Sequence, residues 1–339
     1  MKGICMKFLF FTDTHIRGTS PRNRKDNFFE ALKNKFNEIK QIVDENEIDY
    51  ILHGGDWFDR PDISPSVVRE FAILIKGFNK PIFSIAGNHD IYGHNPDTID
   101  RTMLGILESI DLFKLLKYEE VIVLEKNGIR VQITGKAYNY DIDGEDFKKY
   151  YIVKKQEDVD FAINMVHGML LTKPFFEGIQ YTLLEDIQDT EADITLAGHY
   201  HSGFGIVNKL RKDAKTDQYF INPGSLVRIT NTLTEIERRP KVIIIDVQKE
   251  IFIKEVEIVS ALPGDEILDR TQMEKNLDRN QKLHHFYQGV TASGEYNHVN
   301  MNDIIDEIAS NHSLDREVKE EAVRRIAIAR ENISSGDDS

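Results

Sequence analysis

The sequence predicts an α/β fold, a two-sheet β-sandwich flanked by helices, with a small C-terminal α+β cap. In the first third of the chain, apolar runs of strand length alternate with amphipathic helical segments in the order β-α-β-α-β. That order indicates parallel strands joined by right-handed crossovers. Further short apolar runs follow as far as residue 258, and two sheets packed face to face, with helices outside, would use all of them.

Length and composition are those of an ordinary soluble globular chain. Its 339 residues suffice for one large domain and a smaller one, with 40% apolar and 29% charged residues. No apolar run approaches the roughly 20 residues that span a bilayer. The single cysteine, Cys5, excludes an internal disulfide and suits a reducing cytoplasm, where we expect the protein. The net charge of -14 argues against nucleic-acid binding by bulk charge, though not by local basic loops.

The first predicted strand, residues 7–12, is followed closely by Asp13 and His15. Alternate side chains of an extended chain lie on the same side, so Asp13 and His15 are expected to reach one ion. Apolar spacing and capping residues predict the rest of the first sheet. Its members are a helix at 26–45, a strand at 48–52, a helix at 64–79 that begins with Ser64-Pro65, and a strand at 81–86.

The later segments predict the second sheet. A helix at 106–113 precedes a β-hairpin, 121–124 and 129–134, whose turn contains Asn127-Gly128. Short β runs complete the pattern at 161–166, 194–197, 205–207, 218–221, 242–246 and 251–258.

The character of the chain changes near Leu262. Residues 259–339 contain 16 acidic and 9 basic side chains, which is -7, half of the net charge. We therefore expect a catalytic domain at 1–258 and a small acidic region at 259–339 that caps the domain or binds a partner. Helices are expected there at 301–310 and 314–332, with a disordered tail at 334–339.

Residues of metal-ligand type follow five of the predicted strands. They are Asp13, His15, Asp56, Asn88, His167, His199 and His201. One Asn, two Asp and four His suit borderline metals such as Mn(II), Fe(II) or Zn(II) better than a calcium site of oxygen ligands. Seven ligands exceed one tetrahedral ion and fit two ions bridged by a carboxylate. Taken alone, a histidine such as His167 is more often a core residue.

The order D-x-H, G-D-x-x-D, G-N-H-D, His-Gly and G-H-x-H, from Asp13 to His201, resembles the calcineurin-like metallophosphoesterase superfamily. The resemblance implies the metallophosphoesterase fold with two divalent ions, Mn(II) first, with Fe, Mg or Zn as alternatives. It also implies the ligand sets: Asp13, His15 and His201 for one ion, Asn88, His167 and His199 for the other, and Asp56 as the bridge. Two catalytic residues are implied as well, His89 facing the substrate and Asp59 orienting His89.

Two further stretches resemble the SbcD-type nuclease subunits of bacteria and phages: Gly55-Asp56-Trp57-Phe58-Asp59 and Asn222-Pro223-Gly224-Ser225. Asn222 departs from the usual aromatic residue, and the C-terminal region is short and acidic. The resemblance implies a homodimer within a heterotetramer that contains an SMC-like coiled-coil ATPase of SbcC type. The helices at 26–45 and 64–79 are candidates for dimer contacts and the stripe 318–329 for ATPase contacts, with packing inside this chain as the alternative.

Basic residues beside the motifs are candidates for DNA contacts. They are Arg17, Arg22, Arg24, Lys25 and Arg228.

Together these features predict a dinuclear-metal DNA phosphodiesterase, an exonuclease or endonuclease in an SbcCD-like repair and recombination complex, without membrane contact. One alternative is a stand-alone phosphoesterase for a nucleotide or phosphoprotein, although Asp90 departs from the Gly-Asn-His-Glu usual in protein phosphatases. An inactive scaffold is the other.

Overall fold

The computed structural model describes residues 5–176, 178–211 and 216–271. Contacts divide the chain into two units, Met1–Leu268 and Asp269–Ser339. The expected helices at 301–310 and 314–332, the stripe at 318–329 and the tail at 334–339 lie outside the described residues. The domain boundary at residue 258 stays a prediction.

The described residues form fourteen strands. In chain order they are β1 (Met6–Phe11), β2 (Tyr50–His53), β3 (Ile82–Ser84), β4 (Lys114–Leu115), β5 (Val121–Lys126), β6 (Ile129–Lys136), β7 (Phe161–Gly168), β8 (Leu170–Leu171), β9 (Thr182–Leu183), β10 (Ile194–His199), β11 (Gly205–Leu210), β12 (Asp217–Asn222), β13 (Lys241–Val247) and β14 (Ile251–Glu257). The predicted hairpin is confirmed as β5 and β6, with Asn127 and Gly128 at φ 55° and 82° in the turn, as a two-residue hairpin loop requires.

The strands form two six-stranded mixed sheets. The first has the order β14-β13-β1-β2-β3-β4, and the second has the order β11-β12-β10-β7-β6-β5. In the first sheet β1, β2, β3 and β4 run parallel, while β13 and β14 add antiparallel pairs. In the second sheet β6, β7, β10 and β12 are parallel, with antiparallel edge strands β5 and β11. Strands β8 and β9 make a separate short ladder.

Alternation along β1 shows how the two sheets pack. Phe8 and Phe10 lie in an apolar cluster with Ile133, Met165 and other residues of the second sheet. The intervening Leu9 and Phe11 lie in a different cluster with side chains of the helices. Because successive side chains of a strand face opposite ways, one strand serves both layers. The predicted two-sheet sandwich with helices outside is confirmed.

Six α-helices lie among the described residues. They are α1 (Phe28–Glu45), α2 (Pro65–Lys76), α3 (Met103–Ser109), α4 (Lys148–Tyr151), α5 (Leu233–Glu237) and α6 (Gly264–Ile267). The predicted helix at 106–113 is wrong by about one turn, because Thr102 caps α3 by accepting from Gly105 N–H, and Asp111 takes a positive φ of 57° just beyond its end. Among the described helices none is long and apolar enough to cross a bilayer.

The apolar faces of α1 and α2 pack inside the chain. Leu32 and Phe36 of α1 and Phe71 and Ile75 of α2 are buried in one cluster with β1. The alternative of internal packing therefore accounts for these buried side chains, and a dimer contact through the rest of either helix stays a prediction. The large apolar side chain that remains outward on α2 is Ile73, at 54% exposure.

Candidate metal centre

The candidate ligands lie on backbone turns of unusual conformation. Asp13, His15, Asp56 and His199 have φ values of 54°, 41°, 55° and 79°. Residues other than glycine seldom adopt this left-handed region, and each instance costs of order 1–3 kcal/mol. Asp13 and His15 lie beyond β1, which ends at Phe11. Their side chains meet because the chain turns there. The prediction placed the same two side chains together, but it assumed an extended backbone that these residues do not have.

Two glycines allow the turns to approach one another. A Cβ on Gly55, which has φ 98°, would lie 2.5 Å from His167 Nδ1. A Cβ on Gly87 would lie 2.1 Å from Asp56 Oδ1. Neither approach is compatible with a side chain. Gly55 is therefore required where loops of the two sheets approach each other, and Gly87 where two loops of the first sheet approach each other.

One group of ligand atoms joins Asp13, His15, Asp56 and His201, all within 4.8 Å of one another. His15 Nε2 lies 3.0 Å from His201 Nε2 and 3.7 Å from Asp56 Oδ2. His201 Nε2 lies 3.6 Å from Asp13 Oδ1. Asp13 is fixed in turn by the hydroxyl of Thr12 at 2.7 Å. Two imidazole nitrogens and two carboxylates therefore converge on one small space.

A second group contains Asp56, His167 and His199. The amide oxygen of Asn88 lies beside it, 2.9 Å from His199 Nδ1 and 3.2 Å from His167 Nε2. His167 Nδ1 donates to the carbonyl of Gly54 at 2.7 Å, which directs Nε2 toward Asp56 Oδ2 at 3.3 Å. Backbone carbonyls commonly orient metal-binding histidines in this way. Asp56 is thus common to both groups.

Two buried atoms of the site, Asp56 Oδ2 and His15 Nδ1, make no hydrogen bond within the described part of the chain. Leaving a buried polar atom without a partner costs roughly 1–3 kcal/mol, and more for a charged group. Asp56 Oδ2 faces the imidazole nitrogens of both groups, so a cation held there would offset its share of that cost, whereas His15 presents Nε2 rather than Nδ1 to the same space. The donor set of Asp, Asn and His is the one that borderline divalent metals prefer, so the residues present fit such ions.

Burial and neighbouring charges set the protonation of the site. Burial lowers the pKa of His15 well below 6.5 and lowers the pKa of His199 to about 3, so both imidazoles are neutral near pH 7. Neutral imidazole is the form that binds metals. Burial opposes the charge of His167, but the Asp56 carboxylate raises its pKa to about 9. For Asp56 the attraction of His167 and His15 outweighs burial, and its pKa falls well below the ordinary value.

His89 lies at the edge of the first group. Its backbone N–H donates to Asp56 Oδ1 at 2.8 Å, and its ring packs edge-on against His15 at 4.7 Å. Its Nδ1 is 2.9 Å from the backbone carbonyl of Asp59. The Asp59 carboxylate instead pairs with Arg17 at 3.0 Å. The hydrogen bond from Asp59 to His89 thus uses the carbonyl oxygen, while an Asp59 carboxylate oxygen lies within 4.8 Å of a ring nitrogen of His89, so the orienting role of Asp59 stays a prediction.

Two supporting residues were not identified as such from the sequence. Asp90, buried behind the site, accepts hydrogen bonds from the N–H groups of Gly87, Phe58 and Trp57 and so joins two motifs. Ser225 Oγ donates to the Asp13 carbonyl at 2.7 Å, and its N–H donates to the His201 carbonyl. The Asn222-Pro223-Gly224-Ser225 stretch, used only as a sign of resemblance, was the available signal for this role.

A third residue near the site, Tyr138, carries no motif. It lies just after β6, and its ring centre is 5.8 Å from that of His199. Its neighbours in sequence are not charged or nucleophilic, so nothing in the local pattern indicated its position. Only the pairing of β6 with β7 brings it to the metal centre.

The candidate DNA-contact residues separate into two kinds. Arg22 and Lys25 are exposed, and Arg17 is partly exposed. The Arg24 side chain is 2% exposed, pairs with Asp26 at 2.5 Å and donates to the Arg228 carbonyl.

Arg228 is wholly buried. Its guanidinium donates to the carbonyls of Arg238 and Leu262. The expectation of a phosphate contact at Arg228 is wrong, because these loop carbonyls already take its N–H groups and no face of the guanidinium reaches solvent.

Comparisons with known proteins agree with this geometry. The sequence profile described as calcineurin-like phosphoesterase matches residues 6–203. The DNA double-strand break repair protein Mre11 of Thermoplasma acidophilum is 36% identical over 87 residues, 24% of this chain and 22% of that protein. The double-strand break repair protein MRE11 of Encephalitozoon cuniculi is 24% identical over 332 residues, 85% of this chain and 53% of that protein. The chain spans about half the length, or less, of these curated relatives.

Solved structures with a related arrangement include the purple acid phosphatase PPD1 from yellow lupin (Lupinus luteus) seeds. It is 13% identical to this chain, with a TM-score of 0.46, over 77% of this chain and 53% of that one.

Proposed function

Since the chain belongs to the calcineurin-like phosphoesterase family, we propose that it is a metal-dependent DNA phosphodiesterase, the nuclease subunit of an SbcCD-like recombination and repair complex. The observation that carries the proposal is the sharing of Asp56 by two groups of buried ligand atoms. A shared carboxylate is the feature that distinguishes a two-metal site from two separate sites.

In this proposal Asp13, His15, Asp56 and His201 hold one divalent ion, and Asp56, Asn88, His167 and His199 hold the other. The chemistry that such ions supply is Lewis-acid activation of phosphate and water. Mn(II) is the proposed metal, with Fe, Mg and Zn as alternatives, because imidazole, amide and carboxylate ligands suit this part of the first transition row.

His89 is the proposed general acid, with Asp59 as its positioning residue. Nδ1 donates to the Asp59 carbonyl, which leaves Nε2 as the nitrogen that faces the reaction. As a water molecule attacks phosphorus and the bond from phosphorus to the leaving oxygen breaks, a proton on Nε2 of His89 would pass to that oxygen, and a proton released by the water would restore it. The Arg17–Asp59 ion pair holds the loop that carries the carbonyl. The hydrogen bond from the His89 backbone N–H to Asp56 Oδ1 positions the His89 ring beside the two ligand groups.

DNA is the proposed substrate because one relative in the comparison is named a DNA double-strand break repair protein and the other a double-strand break repair protein. Arg17, Arg22 and Lys25 would contact phosphates beside the site. We further propose the dimer and the coiled-coil ATPase partner of SbcC type that the resemblance implies, and the cytoplasmic location that the single cysteine suits. The proposed organisation remains a nuclease domain at 1–258 and a capping or partner-binding region at 259–339.

A stand-alone phosphoesterase for a nucleotide or phosphoprotein is the main rival, because the same metal centre would serve it. Hydrolysis of linear duplex DNA, bis(p-nitrophenyl) phosphate and p-nitrophenyl phosphate separates the two. Each substrate is tested with Mn(II), with Mg(II) and with chelator. Metal-dependent DNA cleavage with the diester preferred over the monoester is the expected result. Monoester turnover without DNA cleavage would favour the rival.

The matched variants are His89→Ala and His94→Ala. Both remove an imidazole from the same loop, but His94 is exposed and belongs to neither ligand group. We expect His89→Ala to lower diester hydrolysis about 10²- to 10⁴-fold, the range for losing a general acid, and His94→Ala to change it little. If no substrate is hydrolysed even after the coiled-coil ATPase is added, the inactive scaffold is the remaining candidate function.

A further inference from the structure

A cavity of about 690 Å³ adjoins the metal centre on the side of the first sheet's edge. Its floor is apolar and includes Ala86, Leu115, Leu116 and Ala137, and its walls carry the rings of Tyr118 and Tyr138. Leu115 and Leu116 are themselves buried, so the floor belongs to the packed core. Small-molecule sites typically have this size and this mixture of apolar floor and aromatic wall.

Two contacts tie the cavity to the catalytic edge. The Tyr138 N–H donates to the carbonyl of Ala86 at 2.9 Å, and Ala86 is two residues before Asn88. The Tyr138 ring also lies 5.8 Å from the ring of His199. A molecule whose phosphate lies at the metal centre would therefore place its neighbouring group at the mouth of the cavity.

The charges around the cavity indicate which part of a substrate fits it. Three acidic residues, Asp97, Asp100 and Glu108, line the cavity together with two lysines, Lys117 and Lys149. Lys149 already pairs with Asp141 at 2.8 Å. An acidic margin disfavours a phosphate. It suits a nucleobase, whose N–H groups (the ring N3–H of thymine or the exocyclic amines of the other bases) donate to carboxylates and whose flat face packs on tyrosine rings.

We propose that this cavity binds one unstacked nucleobase of the strand whose phosphodiester lies at the metal centre. The inference rests on the proposed function and adds a specificity-determining pocket to it. A base can enter only after leaving its pair and its stack, which costs a few kcal/mol in a duplex and less at a frayed or single-stranded end. The pocket therefore favours unpaired ends over the interior of a duplex.

Two small diesters with the same leaving group test the pocket. Thymidine 5′-(p-nitrophenyl phosphate) carries a base, and methyl p-nitrophenyl phosphate has a methyl group in place of the nucleoside. The variant Ala137→Trp fills the cavity, and Val121→Trp adds the same ring at an exposed position of β5 that does not line it. We expect Ala137→Trp to lower the ratio of kcat/KM for the thymidine ester over the methyl ester about tenfold, a change within the range for the loss of one stacked base.

A milder pair covers the case in which Ala137→Trp does not fold. Tyr118 and Tyr92 are 42% and 41% exposed, but only Tyr118 lines the cavity. Tyr118→Leu should lower the same ratio about fivefold, and Tyr92→Leu should not change it. Circular dichroism establishes that each variant is folded before its ratio is measured.

Equilibrium binding provides a readout that does not depend on turnover. Calorimetry compares thymidine 5′-monophosphate with deoxyribose 5-phosphate on the Mn(II)-loaded protein. Tighter binding of the nucleotide, lost in Ala137→Trp and in Tyr118→Leu, supports the pocket. Equal binding of the two ligands, or an unchanged kcat/KM ratio in both folded cavity variants, overturns the nucleobase pocket. In that case hydrolysis of the diesters by the wild type still supports the proposed function. If the wild type hydrolyses neither diester, the proposed function fails and the binding comparison alone decides the cavity.

Discussion

Two regions of this protein bury several charged side chains, and they differ in how those charges are satisfied. In the metal centre, Asp56 Oδ2 and His15 Nδ1 lack hydrogen bonds from the described residues. In the second region, here called the arginine cluster (Arg24, Lys35, Arg228 and Arg238), the cations donate to backbone carbonyls. Arg228 donates to Arg238 and Leu262, Arg238 donates to Ser225 and Val227, and Lys35 donates to Leu226 at 2.7 Å.

The difference separates a site for a ligand from a support for the fold. A buried polar atom without a hydrogen bond is costly, so it persists where something outside the chain completes it. The arginine cluster completes itself, and its donors hold the 225–228 segment that also fixes Asp13 and His201. Variants in the first region should therefore remove activity, and variants in the second should remove stability.

The largest effect is expected from Asp56→Asn. Asp56 is common to both ligand groups, so we expect metal-dependent diester hydrolysis to fall at least about 10³-fold, as severe as losing a strong transition-state donor. The fold should persist, because the remaining amide oxygen can still accept from His89 N–H. Steady-state kinetics with circular dichroism on the same samples provide the measurement. Unfolding of the variant would contradict the distinction between the regions.

Arg228→Met should have the opposite profile. The change leaves the carbonyls of Arg238 and Leu262 without donors, so we expect the free energy of unfolding to fall by about 2–5 kcal/mol. The exposed Arg22→Met is the control and should change stability by less than about 0.5 kcal/mol. Urea denaturation measures both. A stable Arg228→Met protein with weakened DNA binding would restore Arg228 as a DNA-contact residue.

A smaller, pH-dependent effect is expected at Lys35. Burial, with the nearby Arg24, lowers the pKa of Lys35 well below 10.5. Between that lowered pKa and 10.5 the unfolded chain binds a proton that the native chain does not, so this group makes stability rise with pH. The stability lost in Lys35→Met should therefore grow across this window, by about 1.4 kcal/mol per pH unit at most. Denaturation at pH 7 to 10, beside the exposed Lys40→Met, tests this, and a constant difference would refute it.

The smallest effect is expected from the exposed cations near the site. Charge reversal of Arg22 and Lys25 should weaken DNA binding and reduce the slope of log affinity against log salt by about 2, one per lost phosphate contact. The control is the double variant Arg69→Glu and Lys40→Glu, which has the same change in net charge on α1 and α2. Fluorescence anisotropy from 50 to 200 mM salt measures the slope. Equal slopes for the two variants would exclude this loop from the DNA interface.

The sequence by itself determined the layers of the fold and the identity of the seven candidate ligands. Strand and helix periodicities are local, and the ends of parallel strands gather at one edge, so motifs far apart in sequence were expected to meet there. All seven side chains do lie together in the structure. The boundaries were less accurate where a cap or a positive φ ends an element, as at Thr102 and Asp111.

The tertiary structure alone decided how the polar side chains divide their partners. It placed the Asp59 carboxylate on Arg17, buried Arg228 against loop carbonyls and brought Tyr138 beside His199. Each of these contacts joins segments that are distant in sequence, or depends on which backbone groups a loop leaves without partners. A basic residue near a motif has the same local pattern whether it serves the fold or a ligand. Only the burial and the hydrogen bonds of its neighbours distinguish the two, because these set the free energy of a charged group.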